Sequence, residues 1–355
     1  MKKPKAKPKK AKKAGHKPKT KHKAKAKPAA RKSVKAKAKP KAKAAKASGA
    51  RKRSNYMPKI EAVVSDISML KIQGAKDVAL AGIKCIRIAA SESAATKTDD
   101  FVDELRKVSE KVSMARPTEP ALRNCIGMIL RKLERYELRR IENIKKYAVM
   151  TCDRLIKDIE AMVAKMASIG AGNISDGDTI LTHCHSGHVI AILKEAKAQR
   201  KNFRVIVTET EPHRQGLTTA KELLEAKIPV TYCVDSAVGY VMKGVDKVLV
   251  GCDAILADGS IVNKIGTLPI AIVASRFNVP VFVAGESIKF DSLTIGGMHE
   301  PIEQRSPEEI SGYKELKGAE IINPAFDTVP ADLIAALITE IGIMKPELLR
   351  HELGF

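Results

Sequence analysis

Two hydrophobic rhythms run along the chain. Between residues 57 and 170, apolar side chains recur every three or four positions. Examples are "VDELRKVSEKVSMA" and "LRKLERYELRRIENIKKYAVMTCDRLIKDIEAMVAKMASI", with charges filling the gaps. That spacing places the apolar groups on one stripe of a helix and predicts a helical region. "ARPTEPALRN" breaks the pattern at Pro117 and Pro120 and predicts a structured turn. From residue 176 onward the rhythm changes. "TILTHC", "RVIVTET", "VTYCV", "DKVLVGCDAIL" and "VPVFVAGE" are short, β-branched and apolar nearly throughout. They alternate with the helical runs "HVIAILKEAKAQ", "LTTAKELLEA", "AVGYVMK" and "PIAIVASRFN". Strands without polar alternation are buried on both faces, which requires a parallel sheet flanked by helices. The expected class is α/β: a helical amino-terminal domain, residues 56–172, then a Rossmann-like domain, residues 173–355.

Composition changes this picture at one end. Of the 64 Lys and Arg, 25 fall within residues 1–53, which hold no Asp or Glu. The other 39 face all 40 acidic residues, so the net charge of +24 belongs to the tail. Residues 1–55 are Lys, Ala and Pro with almost nothing to bury, and the expectation is disorder. Repeated prolines prevent the helix that Ala and Lys favour. Two uses remain open. Mobile ammonium groups bind a polyanion such as RNA or DNA non-specifically, through its phosphates and with strong salt dependence. Alternatively, the segment is a solvated extension that aids solubility or local concentration. No aromatic residue interleaves the lysines, which argues against reading of bases.

The tail lacks the apolar segment of a secretory signal and is Ser-poor for a transit peptide. No apolar run approaches a membrane span, and no membrane partner is expected. Six cysteines, at 85, 125, 152, 184, 233 and 252, form no C-x-x-C pair, and several sit inside apolar runs. They read as reduced core thiols of a cytoplasmic protein.

In doubly wound sheets, ligands bind beyond the carboxyl ends of the strands. At those ends stand Cys184, Glu209, Asp235, Asp253 and the pair Gly285–Glu286. A thiol and a carboxyl among them are a plausible base and acid. His183, Cys184 and His185 are consecutive, so on an extended backbone their side chains alternate in direction and cannot share one ion; no metal is expected. "HSGHV" reads as a turn opening a helix, with Ser186 or Gly187 in its first turn. Such a helix start attracts phosphate and lowers the pKa of a neighbouring thiol. By local sequence alone a buried cysteine in a tight turn is the stronger reading. Further along, Asn263 and Lys264 precede "IGT", read as a helix start and a phosphate cradle, and Lys289 follows the last strand. Arg214 and Gly216 precede another helix. Together they describe a cationic rim around a thiol and a carboxyl.

"KIQGAKDVA", "ARPTEPALRN", "ILTHCHSG", "VTETEPHRQG", "VDSAVGYVM", "VLVGCDAIL", "GSIVNKIGT" and "AGESIKF" occur in this order from residue 71 to 290. The region from roughly 57 to 355 thereby resembles the family that contains ribose 1,5-bisphosphate isomerase, methylthioribose 1-phosphate isomerase and the regulatory subunits of translation initiation factor two B. The isomerases carry Cys in the first strand-end motif and Asp in the later one. This chain has both, Cys184 and Asp253, 69 residues apart. The resemblance therefore implies an isomerase of ribose 1,5-bisphosphate, with Cys184 as base and Asp253 as an acid kept protonated by a desolvated site. It implies substrate contacts at Gly74, Ala75, Lys76, Arg116, His185, Ser186, Gly187, Asn263, Lys264 and Lys289. It implies no cofactor, a phosphorylated sugar as substrate, and a homo-oligomer, either dimer or hexamer. A non-catalytic initiation-factor-like subunit and an isomerase of another 1-phosphorylated pentose are the alternatives. One departure stands out: the family's first phosphate motif begins with Arg, and here it reads Gln73-Gly74-Ala75-Lys76. Removal of residues 1–53 is expected to weaken binding to RNA or DNA at low salt, measured by gel shift over a salt series.

Overall fold

A computed structural model describes residues 55–136, 140–298 and 302–355. The expectations for residues 1–54, including nucleic-acid binding, lie outside the described residues. Five helices come first: α1 (Met57–Ser68), α2 (Ala75–Glu92), α3 (Thr98–Ser113), α4 (Pro120–Glu134) and α5 (Ile141–Gly172). The apolar stripe foreseen in the sequence is the bundle's core, with Ile60, Ile83, Phe101, Leu105, Leu122, Ile129 and Ile159 fully buried. Pro120 opens α4, where its missing N–H belongs to the set of donors a helix start leaves unpaired anyway. The long helical pattern from residue 130 to 169 is two helices, interrupted between Glu134 and Ile141.

The second half alternates strand and helix: β1 (Thr179–Thr182), α6 (Gly187–Ala198), β2 (Arg204–Thr208), α7 (Gln215–Glu225), β3 (Val230–Cys233), the single-turn α8 (Val238–Val241) and β4 (Lys247–Gly251). Then follow β5 (Ala254–Ile255), β6 (Ile261–Lys264), α9 (Thr267–Arg276), β7 (Val281–Ala284), β8 (Phe326–Val329), β9 (Ala336–Thr339), β10 (Gly342–Met344) and α10 (Leu348–Glu352). Seven strands form one sheet in the order β10-β9-β7-β4-β1-β2-β3, parallel except for the β9–β10 pair. One face is packed by α5, α6 and α7 through Met166, Ile192, Leu193 and Leu223, the other by α8, α9 and α10 through Val238, Ile270, Ala274 and Leu349. Burial on both faces explains why β1 and most of β2 and β4 lack polar alternation.

Two sequence expectations need correction. "DKVLVGCDAIL" is not one strand. It stops at Gly251, and Asp253 N–H turns to donate to Val262 O at 2.8 Å, starting a separate antiparallel sheet β5-β6-β8. Asn263 and Lys264 end strand β6, and the helix start foreseen at "IGT" follows as α9 from Thr267. "AVGYVMK" yields only one α-turn between two 3₁₀ turns.

Chain direction sets where a ligand can bind. From β1 the chain winds outward through β2 and β3, then returns to β4 on β1's other side and winds the opposite way. The β1–β4 boundary is thus the switch point, where outgoing connections diverge and leave a crevice. The helical bundle closes over it through α4, whose Asn124 Nδ2 donates to Ile288 O at 2.7 Å and Phe290 O at 2.9 Å. Replacing Asn124 with Ala strands two partly buried carbonyls and is expected to lower unfolding free energy by about 1–3 kcal/mol. Urea denaturation of Asn124→Ala against wild type measures this.

Candidate active site

A cavity of about 710 Å³ opens at the switch point. Its wall includes all twelve of the expected site residues: Cys184, Asp253, Gly74, Ala75, Lys76, Arg116, His185, Ser186, Gly187, Asn263, Lys264 and Lys289. Of the five strand ends foreseen to converge, Cys184 and Asp253 reach the cavity. Glu209, Asp235 and Glu286 do not line it. Arg214, expected on the rim, instead points outward and pairs with Glu211 at 2.8 Å.

Cys184 sits in a left-handed turn, φ +67°, a conformation that costs a non-glycine residue about 1–3 kcal/mol. Two threonines hold it there. Its N–H donates to Thr210 Oγ1 at 2.8 Å, and its carbonyl accepts from Thr219 Oγ1 at 2.8 Å. Thr210 is fixed in turn by Asp235, whose carboxylate accepts from the N–H groups of Thr210 and Glu211 at 2.8 and 2.9 Å. Asp235 is thus a brace for the thiol's turn.

The two flanking histidines face apart because the left-handed turn at Cys184 breaks the extended backbone, on which strict alternation would have put positions 183 and 185 on one face. His183 is buried between Thr208 Oγ1 (2.6 Å) and Ile265 O (2.7 Å), and burial lowers its pKa. His185 points to Thr219 Oγ1 at 3.0 Å. Among the described residues, no group of three His, Cys, Asp or Glu side chains could hold a metal ion. The ring of His183 also explains Gly266, φ +100°: a Cβ there would lie 2.9 Å from the imidazole.

Ser186 caps α6, accepting from Val189 N–H, and Gly187 begins the helix in the cavity wall. The thiol beside this helix start departs from expectation. The His185 backbone N–H and the Lys264 charge do favour the thiolate. Burial outweighs them and pushes the Cys184 thiol up to about 11. A group can be partly accessible and still poorly solvated, and Cys184 is in that position.

Four cations serve the cavity. Lys289 is 2% exposed and donates to Cys252 O at 2.7 Å. Burial opposes its charge, but Glu286 and the neighbouring thiol and carboxyls overcome this and raise its pKa. Glu286 is fully buried: burial alone would raise its pKa, yet Lys289 and His188 hold it down at about 2. His188 bonds Glu286 at 2.5 Å, and burial followed by the Lys289 charge lowers its pKa. Arg116 and Lys264 lie over one Phe326 ring, at 5.6 and 5.2 Å from its centroid.

Lys76 Nζ comes within 3.9 Å of where a Cβ on Gly187 would stand, so its ammonium overlooks the start of α6. Gln73 bonds Leu70 O and Gln215. The start of α9 is not an open cradle: Asp327 Oδ2 already accepts from Gly266 and Leu268 N–H at 2.7 and 3.0 Å.

The residue that sequence reading passed over is Glu119, inside "ARPTEPALRN". Its side chain is fully buried behind Arg116. The signal available was a carboxyl three residues after an arginine, within a motif already singled out.

Fold and site together define a class: a helical bundle closed over the switch point of a doubly wound sheet, with a thiol, a carboxyl and four cations around one cavity. Within that class the chain belongs to the initiation factor 2 subunit family, whose model matches residues 71–346. It is 39% identical over 292 residues to the ribose 1,5-bisphosphate isomerase of Methanocaldococcus jannaschii, covering 82% of this chain and 93% of that one. Identity to the ribose 1,5-bisphosphate isomerase of Pyrococcus furiosus is 36% over 303 residues, 82% and 94% of the two chains. The crystal structure of the Pyrococcus horikoshii translation initiation factor eIF-2B superposes with a TM-score of 0.68 at 29% identity, over 81% of this chain and 97% of that one.

Because the thiolate is the reactive form, alkylation of Cys184 by iodoacetamide is expected to quicken about tenfold per pH unit up to roughly pH 10. Lys264→Ala is expected to slow it at every pH in that range. Peptide mass spectrometry over time reads both.

Proposed function

We propose that this chain is an aldose–ketose isomerase that converts ribose 1,5-bisphosphate to ribulose 1,5-bisphosphate. The observation that carries the reading is the meeting of Cys184 and Asp253 in one cavity that four cations overlook. The relatives' shared name supports the substrate.

A phosphate on carbon 1 locks the sugar in its ring, so isomerisation must open that ring without a free aldehyde. In the proposed course, the Cys184 thiolate takes the proton on carbon 2. The released pair forms the carbon 1–carbon 2 double bond as the bond from carbon 1 to the ring oxygen breaks, and Asp253 protonates that oxygen. The enol keeps its phosphate. Its 2-hydroxyl proton then passes to the Asp253 carboxylate while the thiol protonates carbon 1, leaving a ketone at carbon 2. Both groups end as they began. Such a thiol needs help to ionise, and Lys264 with the His185 N–H supplies it. Arg116, Lys76, Lys264 and Lys289 hold the two phosphates, with Gly74, Ala75, His185, Ser186, Gly187 and Asn263 shaping the pocket.

The same reading makes residues 173–355 the catalytic domain and residues 56–172 the helical domain that covers it. It also includes a cytoplasmic homo-oligomer. The β3 edge leaves Tyr232 and Val234 exposed, and Tyr240 is 87% exposed beyond it. Unpaired edge strands and apolar surface of this kind are suited to a second copy.

Incubation of the purified chain with ribose 1,5-bisphosphate, followed by carbon NMR for the ketone, tests the proposal. Product is expected, and Cys184→Ser is expected to lower kcat about 10³-fold while the circular dichroism spectrum stays unchanged. Turnover of methylthioribose 1-phosphate alone would reassign the substrate; turnover of neither would leave the non-catalytic reading.

A further inference from the structure

Glu119 stands behind the cavity wall in an unusual setting. Both carboxyl oxygens are buried and accept no hydrogen bond, although Arg116 Nη1 lies 3.3 Å from Oε1. Arg116 is itself 9% exposed and reaches the cavity from the far side of this contact.

The groups around Glu119 come from several elements. Arg116 belongs to the turn before α4, Asp253 and Cys252 follow β4, Lys289 follows β7, and Glu303 approaches Arg116 Nε at 4.0 Å. Burial, then Asp253, push the Glu119 carboxyl up to about 8, against the opposing pull of Arg116 and Lys289; Glu303 adds to the rise. A carboxylate here would be a fully buried negative charge with no hydrogen bond to stabilise it.

We propose that Glu119 is a positioning residue whose proton sets the effective charge of Arg116: protonated, it leaves the guanidinium free for a phosphate; ionised, it neutralises it. This rests on the reading of the cavity as a phosphosugar site. A neutral carboxyl 3.3 Å away still fixes where the guanidinium lies. An ionised one competes directly with an incoming dianion for the same cation. Ligand binding and protonation of Glu119 therefore favour each other, and by linkage anion affinity falls as pH rises through the carboxyl's range. Stability follows the same sign. The folded state keeps a proton that the unfolded chain has released, so stability declines from the ordinary carboxylate range up to about pH 8 and levels off above it.

Sulfate is a suitable probe, because its charge is constant from pH 6.5 to 9.5 and Lys289, with its raised pKa, stays cationic there. Calorimetric titration of wild type is expected to show affinity falling about tenfold between pH 7 and 9. Glu119→Gln, which has the shape of the protonated acid, is expected to bind like wild type at pH 7 and to stay flat. In urea denaturation, wild type is expected to lose stability between pH 5 and 8 more steeply than Glu119→Gln.

A flat wild-type profile, no measurable sulfate binding, a fall retained in the variant, or equal stability slopes would each overturn the proposal. A pH-dependent sulfate affinity that Glu119→Gln abolishes would uphold it even if ribose 1,5-bisphosphate is not turned over. That combination would retire the isomerase reading alone.

Discussion

The buried pairing of Lys289 with Glu286 is the constraint around which the site is built. A lysine only 2% exposed keeps its charge only if the surroundings replace water, and three elements contribute to that replacement. Cys252 O after β4 accepts from Nζ, Glu286 after β7 supplies the opposite charge, and His188 at the start of α6 bonds the carboxylate's other side. The backbone that carries Lys289 is then clamped by Asn124 of α4. One cation thus ties the switch point of the sheet to the helical bundle above it. Loss of the Glu286 charge would leave an unpaired ammonium in the wall, so the site's charge and the fold's integrity are the same problem.

A second balance governs Cys184. Its strained turn places the thiol against a helix start, with Lys264 nearby, and both favour the thiolate. The enclosing wall favours the thiol more strongly. A group in that state is inert until something shifts the balance, which suits the proposed base, acting on a bound sugar and not on passing electrophiles. The braces that hold the strain (Thr210, Thr219 and, behind them, Asp235) are polar side chains with no place in the cavity lining apart from the turn they support.

The proposed phosphate contacts follow similar logic. The Gln73 amide is bonded within its own loop and to Gln215. Lys76, three residues on, stands over the start of α6. Glu119 gives the other end a different character, because Arg116 answers to a carboxyl that no ligand touches.

How much of this was legible beforehand depends on how local the cause was. The three- and four-residue spacing of Leu105, Val108 and Val112, and the unbroken apolar runs of β1, β2 and β4, fixed helices and parallel strands, since one face or two must be buried whatever the topology. The strand-end placement of Cys184 and Asp253 followed from the same pattern. The tertiary structure alone decided the rest. "VLVGCDAIL" splits between two sheets because Asp253 finds Val262, nine residues and a turn away. Asp327, from a strand 60 residues later, fills the helix start that looked like a phosphate cradle. Burial raised the thiol that proximity to a helix start was expected to lower, and it made Glu119 a titrating group. Desolvation is a sum over atoms from the whole chain, so no run of neighbours in sequence can report it.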